Sequence, residues 1–267
     1  MVDQRPHTVP ASGRSSEQVQ GHWLLARLGK KVLRPGGIAL TRRMLDRAEI
    51  RGCDVVELAP GLGRTAQEIL DRAPAGYVGV DRDPDAAAGV QDVIGGRGTV
   101  RVADASATGL PDASADIVVG EAMLTMQGDK AKHAIVAEAA RVLRPGGRYA
   151  IHELGLTPEG IGDDVKTEVR QALARGIRVN ARPQTAGEWK ALLEEHGFVV
   201  ERVETAPMAL LQSRRLVSDE GLIGALRFGK NLLMQTDARR RVLEMRQVFQ
   251  EHRKSLNAVA LIATKSS

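Results

Sequence analysis

Hydrophobic and polar positions along this chain fall into blocks of two kinds. Short apolar runs recur at 53–58, 77–81, 99–103, 115–120 and 148–153, and stretches with helical spacing lie between them at 64–73, 84–92 and 130–143. Strands alternating with helices at this interval predict a parallel, doubly wound α/β sheet. The punctuation agrees. Pro84 suits a first helical turn, Asp129 is placed as an N-cap, and Pro145-Gly146-Gly147 stops a helix. Ahead of this body, Val19, Trp23, Ala26 and Val32, with Leu24 and Leu28 beside them, mark a helix within 18–33. Ile38, Thr41, Met44, Leu45 and Ala48 mark a second one. Residues 1–17 are polar, with Pro6, Pro10 and Gly13, and are read as a loose tail.

After residue 154 the rhythm changes. A helix is expected near 163–175, and Thr185-Ala186-Gly187-Glu188 reads as a capping box opening a helix over 186–196. A strand at 198–205 and a last strand at 258–264 are separated by a long helical excursion, about 214–254. These two strands are expected to pair at one sheet edge. The division is then a tail (1–17), an N-terminal helical lid (18–50), a core (51–154), and the rest of the sheet (155–267) carrying a lid insertion at about 208–255. The sequence Leu-Arg-Pro-Gly-Gly occurs at 33–37 and again at 143–147; both copies read as helix stops.

Composition narrows the class. Aromatics are 3% of the 267 residues, so the core rests on Ala, Val, Leu and Ile. No stretch approaches the roughly 18 apolar residues of a bilayer span, and the start lacks an apolar export signal. The single cysteine, Cys53, fits a reducing compartment, so a cytoplasmic location is expected. The net charge of +5 is unevenly spread: residues 1–47 hold nine Lys/Arg against three Asp/Glu, and residues 214–254 hold ten against five. Two basic segments therefore flank an acidic body. They are either solvated helix faces or a positive rim that attracts an anionic substrate or surface.

The candidate chemistry begins at Val55-Val56-Glu57-Leu58-Ala59-Pro60-Gly61-Leu62-Gly63-Arg64-Thr65, followed by Gly79-Val80-Asp81. An apolar strand runs into a glycine turn that opens a helix, and the next strand ends on a carboxylate placed to hold a ribose. By spacing alone Gly61, Gly63 and Ala66 also satisfy a dinucleotide fingerprint. Glu57 argues against that, because a carboxylate gains nothing beside two phosphates, whereas it suits a cationic sulfonium cofactor. Asp104-Ala105 after the third strand offers an acceptor for an adenine amino group.

Five ordered pieces carry a resemblance: Glu57 to Thr65, Val80-Asp81, Ala103-Asp104-Ala105, Leu110 to Val119, and Glu138 to Gly147. Together they resemble the class I S-adenosylmethionine-dependent methyltransferases, in particular the small-molecule branch similar to ubiquinone/menaquinone-biosynthesis C-methyltransferases. The resemblance implies a Rossmann-like, mostly parallel seven-stranded sheet with an antiparallel last strand. It implies that Gly61 and Gly63 let the backbone approach the ribose and methionine chain, and that Asp81 accepts from the ribose hydroxyls. Arg82 would flank the adenine, Asp104 and Ala105 would bind it, and Gly120 and Glu121 would lie beside the methionine part and the substrate. One departure is Ala59, where the family usually carries glycine.

Methyl transfer needs alignment and exclusion of water, and a general base only where the acceptor is protonated. Glu121 and His152 are the catalytic candidates, with Glu153, His22 and Trp23 as further possibilities. Met123, Leu124, Met126, Met208, Leu210, Leu211, Leu222 and Met234 suggest a hydrophobic small-molecule substrate, though they also read as core. The place after the fourth strand reads Gly120-Glu121-Ala122-Met123 and lacks a base-stacking aromatic, which disfavours a nucleic-acid substrate. A nicotinamide oxidoreductase, a non-catalytic binder of the methyl donor and a lipid-surface protein using Arg239-Arg240-Arg241 are the rival readings.

Overall fold

The computed structural model describes residues 21–30, 34–208 and 213–266, and for 21–23 and 213–220 it describes the backbone alone. The expectations for the tail at 1–17, for Val32, for the side chains of His22 and Trp23, and for Leu210 and Leu211 fall outside what is described. In chain order the strands are β1 (Asp54–Leu58), β2 (Gly76–Asp81), β3 (Thr99–Val102), β4 (Ala115–Glu121), β5 (Leu143–Leu156), β6 (Gln184–Thr185), β7 (Phe198–Pro207) and β8 (Leu256–Lys265). The helices are α1 (Gly21–Arg27), α2 (Gly37–Ala48), α3 (Arg64–Leu70), α4 (Pro84–Ile94), α5 (Asp129–Val142), α6 (Asp163–Ile177), α7 (Ala186–Glu194), α8 (Ser213–Met234) and α9 (Thr236–Glu251).

The sheet order is β3-β2-β1-β4-β5-β8-β7, with the two-residue β6 added beside β5. Strands β1 to β5 are mutually parallel. The last strand, β8, runs antiparallel to both of its neighbours, β5 and β7. This is the mostly parallel Rossmann-like sheet expected from the sequence, with β6 as an addition. The order reverses between β1 and β4, which makes the crevice at their C-terminal ends the place where open α/β sheets bind ligands.

Strand periodicity sorts the side chains into two layers. Val56, Val118 and Ile151 face one side, against Ile135, Val136 and Ala139 of α5 and Trp189, Leu192 and Leu193 of α7. Val55, Ile117, Val119 and Ala150 face the other, against Leu40, Met44 and Leu45 of α2, Ala66 and Ile69 of α3 and Val90 of α4. A third cluster lies past the strand ends. There Leu24, Leu25 and Leu28 of α1 meet Val169 and Leu173 of α6, Phe228 of α8 and Val242, Met245 and Phe249 of α9.

Local signals behave as their chemistry dictates, with two corrections. Pro84 occupies the first turn of α4 behind an Asp83 cap, and Thr185 and Glu188 form the reciprocal capping box. Asp129, expected as the N-cap of α5, instead lies inside its first turn behind Gly128. There it faces the positive helix end and pairs with Arg182 at 3.0 Å. Pro145-Gly146-Gly147 does not precede the fifth strand but lies within it: β5 begins at Leu143, and the register slips by a bulge opposite Ala115 and Ile117.

Candidate active site at the strand ends

The same alternation that sorts the core assembles the site. Glu57 shares the parity of Val55, Glu121 that of Val119 and His152 that of Ala150, so all three project toward the α2–α3–α4 side. Pairing then brings them level. Glu57 lies beside Val119, and Glu121 lies beside His152.

The glycine turn links β1 to α3. The Ala59 N–H donates to the Val80 carbonyl at 2.7 Å, and the Gly63 N–H donates to the Pro60 carbonyl at 2.9 Å. Gly61 and Gly63 have φ of 60° and 71°, the left-handed region glycine enters at little cost. A Cβ on Gly63 would stand 3.0 Å from Val93 Cγ1, so any side chain there would require Val93 of α4 to give way. Ala59 adopts the same region with φ 53°. Its departure from glycine is therefore a strained one, costing about 1–2 kcal/mol.

Asp81, at the end of β2, is almost fully buried. It accepts the N–H of Gly61 at 3.3 Å and of Asp83 at 3.0 Å. Burial raises its carboxyl above the ordinary value, while those two N–H bonds and the neighbouring Arg82 pull the other way. Asp104, at the end of β3, is exposed and accepts from the hydroxyl and N–H of Ser106 at 2.6 and 2.8 Å. Those bonds, with a smaller contribution from Arg82, hold it below the usual carboxylate range. Arg82 is exposed and Ala105 half-buried. Gly120 is buried, with Met123 and the Tyr149 hydroxyl as the nearest neighbours of a hypothetical Cβ.

Glu57 is buried and accepts from the Tyr77 hydroxyl at 2.7 Å. Burial pushes its carboxyl up to about 8, against the Tyr77 bond and with help from the nearby Glu121 charge. Glu121 behaves oppositely although it is equally enclosed. Burial alone would raise it, but the Arg34 guanidinium, and then His152 and Thr41, outweigh that and hold it at about 2. Its Oε2 accepts from Arg34 Nη1 and the Thr65 hydroxyl. Its Oε1 accepts from the Thr41 hydroxyl at 2.6 Å and lies 2.8 Å from His152 Nδ1. Arg34 also donates to Thr41 at 3.0 Å and to Thr65 at 2.5 Å. The His152 ring is fully buried, and among the described residues its Nε2 has no hydrogen-bond partner.

Glu153 serves the scaffold. Its buried carboxylate accepts the N–H groups of Met123, Leu124 and Thr125 at 3.1, 2.8 and 3.0 Å, and the Thr125 hydroxyl at 2.7 Å. With every oxygen engaged, it shapes the loop after β4 and is not placed to act as a base. Of the apolar residues assigned to the lid, Leu124, Met123 and Met208 are core, whereas Leu222 and Met234 are exposed.

Arg34, Thr41, Thr65 and Tyr77 complete the site and escaped the sequence reading. Arg34 was hidden in a pentapeptide read as a helix stop. The two copies of that pentapeptide do parallel work at opposite ends of β4. Arg34 pairs with Glu121 at the C-terminal end, and Arg144 pairs with Asp116 at 2.7 Å and Asp54 at 3.1 Å at the other. Nothing local in the sequence separates Arg34 from Arg144, whose own partners lie 28 and 90 residues away.

The chain resembles known proteins in sequence and in fold. A family model described as a methyltransferase domain matches residues 56–151. An uncharacterized protein of Haemophilus influenzae is 34% identical over 251 residues, covering 92% of this chain and 98% of that one. Through residues 56–151 the chain belongs to the methyltransferase domain family. A 27-O-demethylrifamycin SV methyltransferase of Amycolatopsis mediterranei is 33% identical over 102 residues, 38% of this chain and 36% of that protein. Among solved structures, the Haemonchus contortus phosphoethanolamine N-methyltransferase 2 in complex with S-adenosyl-L-methionine shares the fold, with a TM-score of 0.68 and 16% identity over 97% of this chain and 59% of that one. The resemblance carried by the five sequence pieces thus holds at the level of the methyltransferase family. Its ubiquinone-like branch is a finer reading than these matches.

Proposed function

We propose that this methyltransferase uses S-adenosylmethionine to methylate a small hydrophobic or anionic molecule, with Glu121 and His152 acting as an oriented base. The observation that carries the cofactor reading is the row of acids at the ends of β1, β2 and β3, Glu57, Asp81 and Asp104, around an open glycine turn. A Cβ on Gly61 would meet only the Ala59 carbonyl, at 3.9 Å, so the turn has room for close approach. The donor set fits as well. Carboxylates accept from hydroxyls, amino groups and ammonium, and the nearby Arg34 is already paired with Glu121 and not free for a diphosphate. Asp81 would hold the ribose, Asp104 and Ala105 the adenine with Arg82 alongside, and Glu57, Gly61, Gly63 and Gly120 the methionine end. S-adenosylmethionine supplies a methyl group already activated on sulfur.

The chain's own contribution is alignment and proton handling. Glu121, held ionised, accepts from His152 Nδ1–H, which fixes the tautomer with Nε2 as the basic nitrogen. An acceptor hydroxyl or amine would give its proton to Nε2. The ring is covered, so this requires the cover over the strand ends to open.

Calorimetry with S-adenosylhomocysteine and NADH tests the cofactor reading. Micromolar binding of the first is expected, weakened at least tenfold (about 1.4 kcal/mol) by Asp81→Asn, with no heat from NADH; binding of NADH alone overturns it. Transfer of radiolabelled methyl from S-adenosylmethionine to a panel of hydrophobic hydroxy and amino acceptors tests the rest. His152→Gln is expected to lower kcat by about 10²–10⁴-fold.

A further inference from the structure

Helix α8 presents an apolar face to solvent. Its two helical pieces meet at Gly221, where φ 71° and ψ 170° break the spiral. From there to Met234 one face packs inward: Phe228 joins the third core cluster, and Asn231 Nδ2 donates to the Leu28 carbonyl of α1 at 3.0 Å. The opposite face carries Leu222, Leu226 and Leu233 along one line, flanked by Ile223 and Met234. These five residues are between 65% and 77% exposed. Single exposed leucines are ordinary, but five large apolar side chains on one surface of one helix mark an interaction site.

The charges among them indicate what covers it. Lys230 emerges through the same face and Arg227 borders it on the side toward α1; both are exposed, and among the described residues no carboxylate pairs with either. Residues 221–241 hold five Lys/Arg against one Asp. An apolar stripe with basic residues set into it matches an interfacial helix lying on an anionic bilayer, the apolar side chains entering the acyl boundary and the cations meeting headgroup phosphates. Among the described residues no helix is long and apolar enough to cross a membrane, so the contact is a surface one. We infer that α8 docks this methyltransferase on an anionic lipid surface through Leu222, Leu226 and Leu233, with Arg227 and Lys230 reading the headgroups. The docked face adjoins the end of α1, where Gly29 lies against the Arg227 side chain.

Sedimentation of the full chain with vesicles tests this without reference to cofactor or substrate. Vesicles of phosphatidylcholine alone are compared with vesicles containing about 30% phosphatidylglycerol. Sedimentation with the anionic vesicles only, released at about 0.5 M salt, is expected. Leu222→Asp with Leu226→Asp should weaken it at least tenfold while circular dichroism and thermal melting stay unchanged. Arg227→Gln with Lys230→Gln leaves the apolar stripe intact and should weaken binding while flattening its salt dependence; this second variant decides the matter if the first does not fold. No sedimentation with anionic vesicles, or equal sedimentation with both kinds, overturns the proposal. So does a dimer in analytical ultracentrifugation that the aspartates convert to monomer without vesicle binding, since a second copy would then cover the face.

Discussion

At the scale of single residues, Glu57 and Glu121 show how one type of side chain acquires opposite states in one site. Both are buried, and burial raises a carboxyl. Glu121 has a cation, an imidazole and hydroxyls on it and stays ionised; Glu57 has one phenol and a neighbouring negative charge, and holds its proton up to about 8. The sign of its linkage follows. The folded state keeps a proton that the unfolded state releases at the ordinary value of 4.5. Its contribution to stability is therefore full below that value and is lost as pH rises toward about 8, at about 1.4 kcal/mol per pH unit. Glu57→Gln is expected to flatten the pH dependence of Tm between roughly pH 5 and 8. A cationic ligand beside Glu57 would draw the proton off, so calorimetry of S-adenosylmethionine at pH 7 in buffers of different ionisation enthalpy should register close to one proton released, and none for the variant. Equal heats in all buffers for the native chain would remove Glu57 from the cofactor's surroundings. The sequence made Glu57 legible, because an acid inside an apolar strand is conspicuous. Tyr77, its donor, was not legible, because its partner lies on a different strand.

At the scale of elements, the site is a meeting of strand ends with two helices and the segment before one of them. Thr41 comes from α2, Thr65 from α3, Arg34 from the segment before α2, and they converge on an acid that ends β4. Removing one partner of a buried ion pair leaves an uncompensated charge, whereas removing both is often neutral. Arg34→Met is accordingly expected to cost about 3–5 kcal/mol in denaturant unfolding, and Arg34→Met with Glu121→Gln to recover most of that. Additive losses in the double variant would show that the two side chains do not depend on each other. The β–turn–α unit from Val55 to Thr65 was legible because its signals are local: apolar alternation, glycines at positive φ, an acid at the next strand end. The contribution of α2 was not. Its sequence announces an amphipathic helix and nothing about which strand end it covers.

At the scale of the whole molecule, the last strand closes the sheet. β8 lies between β5 and β7 and pairs with both along most of its length. Its residues Val259, Leu261 and Ala263 serve one core layer and Ala258, Ala260 and Ile262 the other. A chain ending at residue 255 would leave two long strand edges unpaired and both layers incomplete. It is expected to lack a cooperative thermal transition and to aggregate on expression; a soluble, cooperatively melting product would show that β1 to β5 stand alone.

The sequence by itself determined the elements, the glycine turn, the acids at the strand ends and the family, because each rests on neighbours in the chain and on periodicities of 2 and 3.6. Only the tertiary structure decided that Arg34 neutralises Glu121, that Glu153 is consumed in shaping a loop, that His152 keeps an unpartnered nitrogen, and that α8 turns leucines outward. Those outcomes depend on which distant elements are brought within a few ångströms, and burial and charge pairing at that range set the state of every group in the site.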